Sequence, residues 1–314
     1  MFNLALIGLI IGNMFINATP ILYAGLGGMI SERSGVVNIG LEGMMTIGAL
    51  IGATVGFYTK NPWLGFICGG LSGMVFAFIH ALISVTFAGD QTISGIAINY
   101  LAPGVSLFLA RIFFSGATQT KSIPQDGKMP ILFKSLLNGH PFLQNIFAQY
   151  VTVYIAILFV ILIYVFLYKT KWGLRLTAVG EHPKACETLN ISVIKIRYSA
   201  VLFSGFMAGL GGASLSIAVV NSFSPTLIAG QGFIAMVTVI FGRWTPHGVL
   251  LGSLFFGLAK ALAIFIGGTS LEIPGEFVSM IPYIATLLIL IFFGGKSKAP
   301  KADGTPYLTE DIGI

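Results

Sequence analysis

Charge is scarce in this sequence. Asp, Glu, Lys and Arg together make up 9% of 314 residues, where a soluble domain carries about a quarter. So thin a supply cannot cover a water-exposed surface of this size, which excludes a soluble globular domain. Cysteine is scarcer still, with two residues. Cys68 lies in an apolar run and Cys186 in a basic stretch, so both read as unpaired thiols rather than a disulfide framework. No Cys, His and carboxylate cluster at metal-ligand spacing is visible, and no cofactor is expected in this chain. A basic leader is also missing from MFNLALIGLII, so a retained first span is expected rather than a cleaved signal peptide.

Apolar residues are what the chain has in quantity: 55% by composition, with a mean hydropathy of +0.91. This is the composition of a polytopic membrane protein whose surroundings are the lipid bilayer. The 40 glycines include several four-residue pairs, among them Gly8 and Gly12, Gly48 and Gly52, and Gly205 and Gly209. Such pairs let membrane helices approach closely. The net charge of +6 sits between apolar runs and forms no basic face interleaved with aromatics, so nucleic acid is not an expected partner.

A helix needs roughly 20 apolar residues to cross the bilayer core. By that measure spans fall near 2–30, 36–57, 63–88, 92–110, 146–168, 198–220, 226–242, 246–267 and 276–293. The expectation is an all-α transmembrane bundle of about nine spans, with eight to ten within reach. The first span is long enough to tilt, or to break near Thr19-Pro20, and 221–242 is interrupted by NSFSP and GQG, as a re-entrant segment would be. The transmembrane domain is expected over 1–293, with a long loop at 111–145, another at 169–197, and a polar tail at 294–314. Loop 169–197 holds Lys169, Lys171, Arg175, Lys184, Lys195 and Arg197, and the tail holds Lys296, Lys298 and Lys301. The positive-inside rule makes both cytoplasmic, and the even number of spans between them agrees. The N-terminus and loop 111–145 are then outside.

Two apparent motifs carry no chemistry. GGKS at 294–297 lacks the glycine a phosphate loop needs five positions earlier, where Leu290 stands, so no nucleotide is bound there. Ser204 in FSGF has no base fixed beside it, because nothing in the sequence brings His247 close, and an intramembrane serine protease is not supported. Loop 169–197 is more informative. Within it HPKACETLN reads as a short helix, with Pro183 in the first turn and Asn190 suited to a left-handed C-terminal cap.

GEHPKACETLNISV resembles the coupling-helix segment of ABC-transporter permeases of the branched-chain amino acid, ribose and nucleoside class. The resemblance runs through ATPILYAGLGGMISERSGVVNIGLEGMMTIGA (18–49), DQTISGIAINYLAPGVSLFL (90–109) and GQGFIAMVTVIFGRWTPHGVLLGSLFFGLAKAL (230–262), in that order. SERSGVVNIGLEGMM and ISGIAIN are most similar to the nucleoside-uptake branch. The absence of an extra N-terminal helix resembles the shorter of the two permeases such systems contain. The resemblance implies the ABC importer permease fold, a multi-pass subunit of the bacterial cytoplasmic membrane, and import of nucleosides. It also implies a separate ABC ATPase that hydrolyses the ATP, so that this chain is itself no enzyme. A second permease, in a heterodimer, and an extracytoplasmic substrate-binding lipoprotein complete the implied system. Glu181, His182, Pro183, Ala185, Cys186 and Asn190 would form the surface that meets the ATPase. Cys186 stands where the class often has a second alanine and Asn190 where glycine is usual; both replacements are small or tolerant of positive φ.

The ionisable Glu42 stands out in its apolar segment. On a helix it would share a face with Asn38, four residues earlier. A charge at membrane depth costs about 2.5–3.5 kcal/mol on insertion scales, so it should face protein or water. With a helix starting near Ser34, Glu42 would lie about 12 Å inside it. Two roles stand open: lining the pathway, or bonding backbone freed by Gly35, Gly40 and Gly43. Asn38, Glu42, Asn99, Gln231 and Phe233 are the candidate pathway residues, since amides, a carboxylate and an aromatic suit ribose hydroxyls and base edges. Lys260, alone in its span, could neutralise Glu42. The alternatives are a permease for sugars or branched-chain amino acids, and a stand-alone secondary transporter with Glu42 as its ion-coupling site.

Overall fold

The computed structural model describes residues 4–267 and 299–308, together with Met280, Ile284 and Leu287. Long apolar runs become helices whose starts are set by polar caps. The chain order is α1 (Leu4–Arg33), α2 (Leu41–Thr59), α3 (Pro62–Ala81), α4 (Gln91–Phe113), α5 (Pro141–Phe147), α6 (Val151–Lys169), α7 (Lys171–Glu181), α8 (Pro183–Thr188), α9 (Val193–Ser214), α10 (Gln231–Phe241) and α11 (Pro246–Gly267). The Asn61 side chain caps α3 ahead of Pro62, and Asp90 accepts the Ile93 N–H at 2.9 Å to open α4. Thr170 and Ser192 do the same for α7 and α9. Short π-helical turns at Leu82–Thr86 and Leu215–Val219 extend α3 and α9. Among the described residues there is no strand, only an isolated bridge between Ile131 and Tyr150.

Among the described residues, seven helices are long and apolar enough to cross a membrane: α1, α2, α3 with its π turn, α4, α6, α9 with its π turn, and α11. Of nine expected spans, that at 226–242 is a helix of only 11 residues, α10, and that at 276–293 lies outside the described residues. Apolar composition could not separate the bends and turns of 221–230 from the short helix that follows them. Nor does Pro20 break α1, which runs through it as one helix of 30 residues.

The centre of the bundle is α2 and α9, whose spanning windows are 72% and 83% buried against 33–44% for the others. Glycine makes that centre possible. A Cβ on Gly48 would fall 2.4 Å from the Gly209 carbonyl oxygen, and one on Gly73 would fall 2.2 Å from that of Gly205. Backbones of α2, α3 and α9 therefore touch where any side chain would wedge them apart.

The two ends of the bundle are distinct. At one, the end of α1 meets α7: a Cβ on Gly180 would lie 2.2 Å from the Arg33 carbonyl oxygen. Residues 299–308 join them there, with the Ala302 N–H donating to the Gly180 carbonyl at 2.8 Å. At the other end α5 packs on the start of α1, and the Thr120 and Ile123 N–H groups donate to the carbonyls of Phe223 and Asn221. Loop 111–145 and loop 169–197 thus lie at opposite ends, and 299–308 shares the end of loop 169–197.

Candidate functional site

The segment between α1 and α2 is not helical. Residues 34–40 form turns and extended backbone, with Gly35 at φ 90°. Asn38 and Glu42 therefore do not share a helical face: Asn38 precedes the helix and Glu42 is its second residue. Four side chains from other elements pin this segment. Gln91 accepts the Val37 N–H at 2.8 Å, and the His80 ring bridges the Val37 carbonyl at 3.0 Å and the Ser94 hydroxyl at 2.9 Å. Asn99 donates to the Ile39 carbonyl at 2.9 Å and accepts the Gly43 N–H at 2.8 Å. Asn38, fully buried, donates to Ser204 Oγ at 2.9 Å while its Oδ1 accepts the Gly40 N–H at 3.1 Å. Ser204 is thus a structural partner, and His247 is exposed and bonded to Thr245 at 3.3 Å.

Glu42 reaches across to α10. Its Oε1 accepts the Gly230 N–H and its Oε2 the Gly232 N–H, each at 2.7 Å. These are the orphan donors at the start of a helix, where the dipole favours an anion. Gly230 has φ 84°, a left-handed conformation that turns the chain into α10, and a Cβ on Gly232 would collide with the Glu42 backbone at 2.4 Å. Glu42 thus bonds backbone, as one reading of the sequence had it, but that of Gly230 and Gly232 rather than of glycines near itself. Among the described residues no ion pair joins it to Lys260.

Eleven residues of α10 cover about 16 Å, roughly half of a bilayer core. The Glu42 clamp lies at the upper end of this half-helix and Trp244 just past its foot. Gln231, the first residue of α10, is 3% exposed, and neither atom of its amide has a hydrogen-bond partner. Phe233, two residues on, is 48% exposed and faces away from the chain's own core. Glu42, Gln231 and Phe233 therefore gather at one place, with Asn99 bracing it and Asn38 supporting it from below. His80 and Gln91 belong to the same bracing set and carry no signal in the sequence that separates them from other polar residues in apolar spans.

The second candidate region is α7–α8. Asn190 has φ 58° after α8, and the Ile191 N–H returns to the Cys186 carbonyl at 3.0 Å, as the left-handed cap requires. Cys186 is buried against Val179 and Val193, with its thiol pushed up by burial. His182, Lys184, Ala185, Leu189 and Asn190 are exposed, while Glu181 and Pro183 are half-buried. Of the small pair Ala185-Cys186, only Ala185 presents itself outward.

Residues 10–290 match the family described as branched-chain amino acid transport system / permease component. The chain belongs to that family of membrane permeases. It is 40% identical to the nucleoside ABC transporter permease protein NupC of Lactococcus lactis subsp. cremoris, covering 96% of each chain. It is also 40% identical to the guanosine ABC transporter permease protein NupQ of Bacillus subtilis, covering 96% of this chain and 97% of that one. A Haloferax volcanii protein named provisionally as a glucose ABC transporter permease, TsgC13, is 36% identical over 88% of each chain.

Proposed function

We propose that this chain is the shorter permease subunit of an ATP-driven importer of the bacterial cytoplasmic membrane, and that its solute is a nucleoside. The observation that carries the solute class is the 40% identity, over nearly the whole of both chains, to permeases named for nucleosides and for guanosine. The geometry supports a polar solute. A buried amide with no partner costs about 1–3 kcal/mol, and Gln231 offers both a donor and an acceptor beside a half-helix that begins inside the bundle. Phe233, exposed next to it, supplies an aromatic face for a base. Glu42 holds the start of α10 in place and Asn99 holds α2 against α4, so these two position the pathway while Gln231 and Phe233 meet the solute.

The end carrying α7, α8 and residues 299–308 faces the cytoplasm, by the basic residues of loop 169–197. A separate ABC ATPase docks on α8 through His182, Lys184 and Ala185, with Glu181, Pro183, Cys186 and Asn190 shaping the helix beneath. A second permease subunit completes the pathway, and an extracytoplasmic lipoprotein delivers solute to the opposite end. This chain breaks no bond. It converts docking at α8 into two arrangements of the pathway, which works only if the ATPase contacts differ between them. The 36% identity to the glucose-named permease favours a sugar as the second reading. One experiment separates them: reconstitute the assembled transporter and measure ATP-dependent uptake of labelled guanosine, uridine and glucose. Guanosine or uridine uptake supports the proposal, glucose uptake alone supports the second reading, and ATP-independent uptake sinks both.

A further inference from the structure

Residues 299–308 touch most of the elements that meet at the α7–α8 end. Ala302 is bonded to Gly180 of α7. Arg197 of α9, 1% exposed, donates from Nη1 to the Thr305 carbonyl at 3.1 Å and lies 5.6 Å from the centre of the Tyr307 ring. The Tyr307 hydroxyl donates to Glu187 of α8, and its ring packs on the Val179, Cys186 and Val193 cluster. Just past α1, a Cβ on Gly35 would lie 3.1 Å from the Ala302 carbonyl oxygen, and Pro300 lines a small cleft together with Arg33 and Trp244. Glu32 of α1 accepts the Trp244 indole N–H, and Arg33 donates to the Trp244 carbonyl at 2.7 Å. Trp244 lies just past the foot of α10.

We propose that residues 299–308 are a positioning strap that fastens α8 and α7 to the Glu32–Trp244 joint at the foot of α10, so that a displacement of α8 is delivered to the half-helix whose far end Glu42 holds. The inference rests on the permease reading above. A six-residue helix such as α8 is far too short to stand alone in water. It is joined to α7 through His182 and to α9 through the left-handed Asn190. A push on it would be absorbed by those joints unless a third connection stiffened them. Ordering ten residues costs on the order of 1 kcal/mol each. Buried Arg197, buried Ala302 and the Tyr307–Glu187 bond offset that cost, and they tie the segment to α9, α7 and α8 in turn.

The test compares the intact chain with one ending at Pro300 and with Tyr307→Phe, which removes only the hydroxyl. Each is assembled with its ATPase and partner permease in proteoliposomes, and ATP hydrolysis and solute moved per ATP are measured. Amide exchange of the permease chain alone is followed in parallel. The expected result is hydrolysis within about twofold of intact and solute per ATP down about tenfold in the shortened chain, with a smaller loss in Y307F. Exchange should rise in α7–α8 and at Phe241–Trp244 in both. Unchanged exchange and unchanged solute per ATP would overturn the strap. If the shortened chain does not fold, Y307F decides by the same two readouts. If the intact assembly moves no nucleoside, the solute reading fails, while the exchange comparison still decides the strap.

Discussion

At the scale of the residue, Glu42 and Gln231 make opposite predictions. Glu42 accepts two backbone N–H bonds at the start of α10. Glu42→Gln keeps one acceptor, turns an N–H donor towards another N–H, and removes the charge that the helix dipole favours. The loss is about 2 kcal/mol, read as a lower melting temperature and faster amide exchange at Gln231–Phe233. Gln231 has nothing of its own to lose: both amide atoms are buried without a partner. Gln231→Met keeps the volume and removes the unmet polar group, so the folded chain should be as stable as before or up to about 2 kcal/mol more stable, while solute uptake falls at least about fivefold. A Q231M protein that loses stability would mean that the amide is a structural group. The sequence offered both residues as candidates but not the partners of either. Glu42 was visible as an oddity, but its partners lie 188 and 190 residues away, and no local pattern points to a contact of that range.

At the scale of the element, the short helix α8 was readable because Pro183 and Asn190 are local signals for its start and stop. The turn between α1 and α2 was not. Residues 34–40 are apolar and glycine-containing, a composition that also suits a helix. What keeps them extended is bonding to His80, Gln91, Asn99 and Ser204, all from other elements. Half-helix α10 lay between: NSFSP and GQG announced an interruption, though not which side of it would be helical. For α8, Ala185→Arg places an unpaired charge where the docked ATPase should cover it. Docking should weaken by about 3 kcal/mol, roughly a hundredfold, with the permease still present in the membrane; pull-down of the ATPase checks it. For the strap, burial pushes the Asp303 carboxyl up to about 7, against the opposing pull of the Gly304 N–H and Arg197, with Glu32 the other charge facing it. A raised carboxyl pKa means that the packed strap binds a proton the free strap would release. Its contribution to packing is complete below the free carboxyl's range, near 4, and is lost as pH rises through about 7. Tryptic cleavage at exposed Lys301 should therefore speed up from pH 6 to pH 8 relative to Asp303→Asn, whose strap has no such dependence. Equal pH profiles would contradict it.

At the scale of the whole molecule, composition alone marked a membrane bundle, because so few charges leave no other solvent. Among the described residues, seven helices long and apolar enough to span and one half-helix follow from that composition plus the glycine contacts among α2, α3 and α9. Loop 169–197, with its six basic residues, and residues 299–308, which carry Lys301, lie at one end of the bundle. What composition could not supply is the internal route: Glu42 to α10, α10 to Trp244, Trp244 to Glu32 and Arg33, and from there through residues 299–308 to α8. Apart from the direct chain link from α10 to Trp244, these links are contacts between residues far apart in the sequence. The route has meaning only if something acts on α8, so the most direct test is the company this chain keeps. Tagged in its native membrane, extracted in mild detergent and examined by mass spectrometry, it should bring with it an ABC ATPase and a second permease of the same family. Recovery of the chain alone, reproducible after cross-linking in the intact membrane, would contradict the account.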